Sequence, residues 1–142
     1  MEKTYDLSRF TDAHKRSYET ALKEIRNGRK LTHWMWYIFP QLQGLGKSEK
    51  SRYYAISGKG EAEAFLNDSY LGGNLKDICS ALLQLDSNDA TEIFGMPDDM
   101  KLRSSVTLFS CVSDRPSVFD LVLEKYFDGK PDMRTIKMLE LN

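Results

Sequence analysis

Cysteine and histidine are scarce, with two of each in 142 residues. A structural zinc centre takes about four Cys or His ligands, usually as close pairs. Cys79, Cys111, His14 and His33 form no close pair, so the expectation is no metal site and no cofactor. No apolar run approaches the roughly 20 residues needed to cross a bilayer. The opening Met1-Glu2-Lys3-Thr4-Tyr5-Asp6 lacks the apolar stretch of a secretory leader. The expected location is therefore cytoplasmic, with no membrane partner, and both cysteines, each in an apolar setting, read as buried free thiols. Charge of either sign is not in excess: 20 Lys and Arg face 21 Asp and Glu, a formal net charge of -1. That balance gives no general electrostatic attraction to nucleic acid or to an anionic membrane. Repeats, low-complexity tracts and Pro/Gly-rich linkers are also missing, which points to one domain.

What the sequence does have is helical periodicity. Phe10, Ala13, Ser17/Tyr18, Ala21/Leu22 and Ile25 recur at the 3.6-residue period, predicting a helix from a cap at Ser8 to about Asn27, ended by Gly28. Further helices are expected over 48–54, from Ser57 to about Asp68, and over 70–85, where Leu71, Leu75, Ile78/Cys79 and Leu82 make one stripe. Asp89 caps a short turn ended by Gly95; Pro97-Asp98 opens a helix through Leu102, Val106 and Phe109; Asp114-Pro116 opens another; Asp132 caps the last. The fold expected is all-α: a single multihelical globular domain of several short, irregularly packed helices over residues 8–142, after a flexible lead-in at 1–7.

The least ordinary stretch is His33-Trp34-Met35-Trp36-Tyr37-Ile38-Phe39-Pro40-Gln41, followed by a loop with Gly44 and Gly46. It holds both tryptophans and is expected to be the centre against which other segments pack. A strand would suit these residues as well, but no partner strand is offered, so two helical turns capped by Thr32 and closed by Pro40 are expected.

Three constellations carry possible chemistry. Gly46-Lys47-Ser48 echoes the end of a phosphate loop, but Gln41 stands where its first glycine is needed and no β-α alternation surrounds it; a glycine turn with Ser48 capping the next helix is the simpler reading. His33, Trp34, Trp36 and Gln41 offer an acid or base, stacking faces and a polar edge, against the simpler alternative of a helix start over core tryptophans. Lys101, Ser104 and Ser105 place a cation and hydroxyls on one side of a helix, where they could hold a phosphate or carboxylate, or merely bond to the preceding turn. His14, set among lysine and arginine, reads as a solvated surface residue.

Taken together, Gly28-Arg29-Lys30-x-x-His33-Trp34-Met35-Trp36-x-Ile38-Phe39-Pro40-Gln41, Gly44-Leu45-Gly46-x-Ser48, Lys101-Leu102-x-Ser104-Ser105-x-Thr107-Leu108-Phe109 and Gly129-x-x-Asp132-x-x-Thr135 resemble a bacterial domain of unknown function, family 1810. The resemblance runs from Phe10 to Thr135. Tyr37 stands where the family often has Phe, Gly73 where it often has Arg, and Val106 where it often has Met. It implies an all-helical single domain and brings no established reaction. Some members carry the label calpastatin; an inhibitor of that kind is a disordered chain, unlike the strong amphipathic periods here.

The functional expectation is a small-ligand-binding domain whose pocket lies between the aromatic run and the Lys101 helix. The ligand would be nucleotide-like or another anionic aromatic metabolite. Trp34 and Trp36 would stack, Gln41 would read polar edges, and Lys101, Ser104 and Ser105 would hold the anion. If there is a reaction, His33 is the acid or base of a metal-independent hydrolysis or transfer. The rival expectation is a protein-protein interaction module with no small ligand.

Overall fold

Helices α5 (Ser69–Leu83) and α7 (Asp98–Cys111) are the two on which the others gather. A computed structural model describes residues 4–141, and among these are nine helices and no strand. The remaining helices are α1 (Ser8–Arg26), α2 (Met35–Ile38), α3 (Glu49–Tyr53), α4 (Lys59–Asn67), α6 (Ala90–Phe94), α8 (Val118–Phe127) and α9 (Met133–Glu140). Helices α1, α4 and α8 pack on α5, while α4, α6, α8 and α9 pack on α7. Thus α4 and α8 tie the two together, and the chain is one all-α domain. Residues 1–3 of the expected lead-in lie outside the described residues; within the rest, Leu7 packs against the core.

The core is a chain of rings. Phe10 meets Phe65 edge-on at 5.1 Å between centroids, Phe65 meets Phe109 at 5.3 Å, and Phe109 meets Phe119 at 5.9 Å. Trp34, Phe39 and Phe94 form a second group. The aromatic run is therefore a buried wedge against α1 and α6, whereas the hub expected of it is taken by α5 and α7.

Local corrections have local causes. Ser8 is the first residue of α1 and not its cap: the Asp6 carboxylate accepts from the Ser8 amide at 2.9 Å. The aromatic run makes one helical turn, not two. Glu24 on α1 accepts from the amides of Leu31 and Thr32, the Thr32 hydroxyl and the Trp34 indole, at 2.6–3.0 Å. Those bonds draw 31–34 onto α1 as a non-helical bend and use up the hydroxyl expected to cap α2. Helix α8 starts at a capping box of Ser117 and Asp120 rather than at Asp114. At the α4–α5 corner, a methyl on Gly72 would sit 1.9 Å from the Leu66 carbonyl oxygen, so only glycine lets the two backbones approach.

Candidate functional site

Three of the residues singled out above meet in one cleft of about 280 Å³. Gln41, Lys101 and Ser104 line it together with Leu45, Gly46, Pro97, Met100, Asp132 and Arg134. Each arrives by a separate device. Gln41 follows the Pro40 corner and is fixed by a lone bridge, in which its carbonyl accepts from the Ile56 amide at 2.9 Å and the Gln43 amide donates to Ile56 at 2.7 Å. Its side-chain amide has no hydrogen bond among the described residues. Lys101 lies in the first turns of α7, with Asp98 Oδ1 3.7 Å from its ammonium. Asp98 Oδ2 is held closer by Lys30, at 3.0 Å, so one carboxylate is shared by two cations. Lys101 thus keeps capacity for an incoming anion.

The opposite wall is the 130–134 segment. Arg103 donates to the carbonyls of Lys130 and Pro131 at 2.9 and 3.1 Å. Thr107 Oγ1 accepts from the Asp132 amide at 2.9 Å. So α7 itself clamps the start of α9. The Asp132 carboxylate does not cap α9 as expected; its Oδ2 instead accepts from Ser104 at 3.0 Å and Thr135 at 2.5 Å. Arg134 is exposed and has no hydrogen bond or ion pair among the described residues. Asp132 and Arg134 were missed as site residues because Asp132-x-x-Thr135 has the spacing of a helix cap, and nothing local tells a capping carboxylate from one turned across to a neighbouring helix.

The other four residues lie elsewhere. Trp34 is 1% exposed and its indole N–H is committed to Glu24 at 2.9 Å, so no ligand stacks on it. Trp36 is half-buried on another face, with the Lys50 ammonium 4.7 Å from its ring and His33 6.4 Å away. His33 is exposed, and its ring has no hydrogen-bonded nucleophile or carboxylate among the described residues. Ser105 is 0% exposed and its hydroxyl has no partner among the described residues. It parts from Ser104 because α7 is buried nearly all round, so adjacent residues enter different surroundings.

Two further expectations change. His14 is buried, not solvated: its Nδ1 accepts from Asn74 at 3.1 Å, which makes Nε2 the donor to the Tyr37 carbonyl at 2.8 Å. Burial holds its pKa down at about 4. Its i+4 spacing from Phe10 and to Tyr18 was the overlooked signal. Cys79 is buried, but Cys111, the last residue of α7, is exposed. The phosphate-loop echo resolves into a turn in which Ser48 caps α3, accepting from the Ser51 amide at 3.1 Å.

A larger groove, about 550 Å³, opens between α4, α5 and the α7–α8 connection, but its Lys76 shares the space with Glu63 and Asp114. Among the described residues no helix is long and apolar enough to cross a membrane.

No curated protein matches the chain. The crystal structure of the conserved hypothetical protein Rv1873 from Mycobacterium tuberculosis, at 1.38 Å, is 42% identical to it, spans 97% of this chain and 99% of its own, and superposes with a TM-score of 0.94. A family model described as a protein of unknown function, DUF1810, matches residues 4–139. The chain belongs to the DUF1810 family.

Proposed function

We propose that the cleft between the Gln41 loop, α7 and the start of α9 binds a small anionic metabolite of the cytosol. The observation that carries the reading is convergence. Gln41, Lys101 and Arg134 come from distant parts of the chain, and the Gln41 amide and Arg134 guanidinium have no hydrogen-bond partner among the described residues at the same cleft. Two cations and one carboxylate, Asp132, line it, and the Asp98 carboxylate beside Lys101 is shared with Lys30, so the local balance favours an anion. Leu45, Pro97 and Met100 supply an apolar wall in place of the tryptophan faces. The reading is binding rather than catalysis, since His33 stands apart from the cleft.

A ligand that binds only the native state raises its melting temperature. At ten times its Kd the gain is about 1.4 kcal/mol, roughly 4 °C for a domain of this size. The test is a thermal-shift series with inorganic phosphate, nucleoside monophosphates and di- and tricarboxylates. Lys101→Ala and Arg134→Ala should each abolish the shift while melting like the parent without ligand. No shift at millimolar concentrations would overturn the reading. It would favour the rival, an interaction module, which draws on exposed Met96, Met100 and Met133 beside the cleft.

A further inference from the structure

Resting on that anion site, we infer that its occupant is a hydroxylated phosphate of the sugar-phosphate class, with Asp132 as the residue that reads the hydroxyls. A site for bare phosphate has no use for a carboxylate, which repels it. Asp132 nevertheless lines the cleft beside Lys101 and Arg134. Its two oxygens are treated differently. Oδ2 accepts from Ser104 at 3.0 Å and from Thr135 at 2.5 Å. Oδ1 has no partner among the described residues and is not among the sequestered atoms, so it remains open to solvent and able to accept. The two hydroxyls fix the carboxylate plane, and the hydrogen bond from the Asp132 amide to Thr107 Oγ1 fixes the backbone beneath it. The result is a preorganised acceptor.

Ser104 adds a second acceptor. Its single proton is shared between Asp132 Oδ2 and the Met100 carbonyl, 3.2 Å away, which leaves its lone pairs for an incoming O–H. The cleft therefore presents acceptors on the α7–α9 side and cations around them. A ligand complementary to both carries hydroxyl donors and a compact anionic group. An arginine fork suits phosphate oxygens bidentately, and Lys101 adds a point charge. An ammonium would also satisfy Oδ1, but two cations in the same small cleft disfavour a third positive charge.

Titration calorimetry with inorganic phosphate, ribose 5-phosphate, 2-deoxyribose 5-phosphate and phosphoethanolamine separates these cases. Hydrogen bonds to a charged acceptor imply that ribose 5-phosphate binds about tenfold tighter than phosphate or more, with the deoxy compound in between. Phosphoethanolamine should bind no tighter than phosphate. Asp132→Asn keeps an oxygen for Ser104 and Thr135 and puts an NH2 donor where Oδ1 was. It should cut ribose 5-phosphate binding about tenfold while leaving phosphate unchanged or tighter. If ribose 5-phosphate binds no better than phosphate, or Asp132→Asn weakens both alike, the hydroxyl reading falls and the anion site stands. Preference for phosphoethanolamine overturns it in favour of an amine. If nothing binds to the parent, the anion site falls too. Should the variant fail to fold, the comparison of ribose 5-phosphate with inorganic phosphate on the parent decides alone: equal affinity of the two refutes the inference.

Discussion

The Trp34 indole N–H donates to Glu24 Oε1 across 2.9 Å, joining the start of the aromatic run to the buried face of α1. Glu24 is 7% exposed and takes four hydrogen bonds, with the amides of Leu31 and Thr32 and the Thr32 hydroxyl completing the set. Burial by itself would raise this carboxyl, but the bonds from Thr32, Leu31 and Trp34 outweigh it and hold the pKa at about 2. Lys30 extends the assembly: its ammonium lies 5.0 Å from the Trp34 ring and 3.0 Å from Asp98. The carboxylate beside Lys101 is thus tied, through Lys30 and the 30–34 segment, to Glu24.

Glu24→Gln exchanges one acceptor oxygen for a donor facing N–H groups. It should cost about 2–3 kcal/mol, with a melting temperature lower by roughly 5–10 °C. Trp34→Phe removes the indole donor. Because the two residues touch, a double-mutant cycle in urea should give a coupling of about 1–2 kcal/mol. Strictly additive effects would mean that the bond does not stabilise the fold.

Helix periods and turn residues make the all-α fold legible, because long helices such as α1 and α5 bury a stripe their own sequence displays. The cleft was legible only in part. Gln41, Lys101 and Ser104 stood out as polar groups beside apolar runs, and they do meet. Ser105 could not be told from Ser104, since both belong to a helix enclosed on several sides. From sequence Trp34 offers a free face, because its partner, Glu24, lies ten residues earlier on a helix whose charged residues mostly face solvent. Yet Glu24 is three residues from Ala21, on the buried stripe, and a carboxylate there needs donors from another segment.

Acid should destabilise the protein in two stages. Burial lowers the folded-state pKa of His14 from 6.5 to about 4, so only the unfolded chain takes up its proton between those values. The stabilisation is complete above pH 6.5 and declines by about 3 kcal/mol as pH falls to 4. Glu24, lowered from 4.5 to about 2, is likewise stabilising above pH 4.5 and loses its contribution below it. Urea melts from pH 7 to pH 4 measure the first stage. His14→Gln should flatten that slope and leave the lower one; an unchanged slope would assign the acid sensitivity to other groups.

Adjacent glycines of α5 should respond in opposite directions to one methyl group. In Gly72→Ala the new carbon would collide with the Leu66 carbonyl, a backbone atom that moves only if α4 and α5 separate. Overpacking of this kind costs about 1–3 kcal/mol, and here the upper end is expected. Gly73→Ala meets nothing within 4 Å. It removes a flexible residue from a helix interior and should gain roughly 0.5–1 kcal/mol. Thermal melts of the two variants check the pair, and equal losses would refute the close α4–α5 approach.

Ser105 provides the sharpest contrast with its neighbour in the cleft. Its hydroxyl is sequestered at 0% exposure with no partner among the described residues, while Ser104, Thr107 and Ser113 all bond to the carbonyl four residues back. An unsatisfied buried hydroxyl is a liability of about 1–3 kcal/mol, and alanine is the better helix former by several tenths. Ser105→Ala should therefore stabilise the protein by about 1 kcal/mol and leave phosphate affinity unaltered. Ser104→Ala removes a donor from Asp132 and a wall of the cleft, so it should weaken ribose 5-phosphate binding several-fold. Loss of stability in Ser105→Ala would show that its hydroxyl has a partner, a bound water being the one that fits a site closed to solvent.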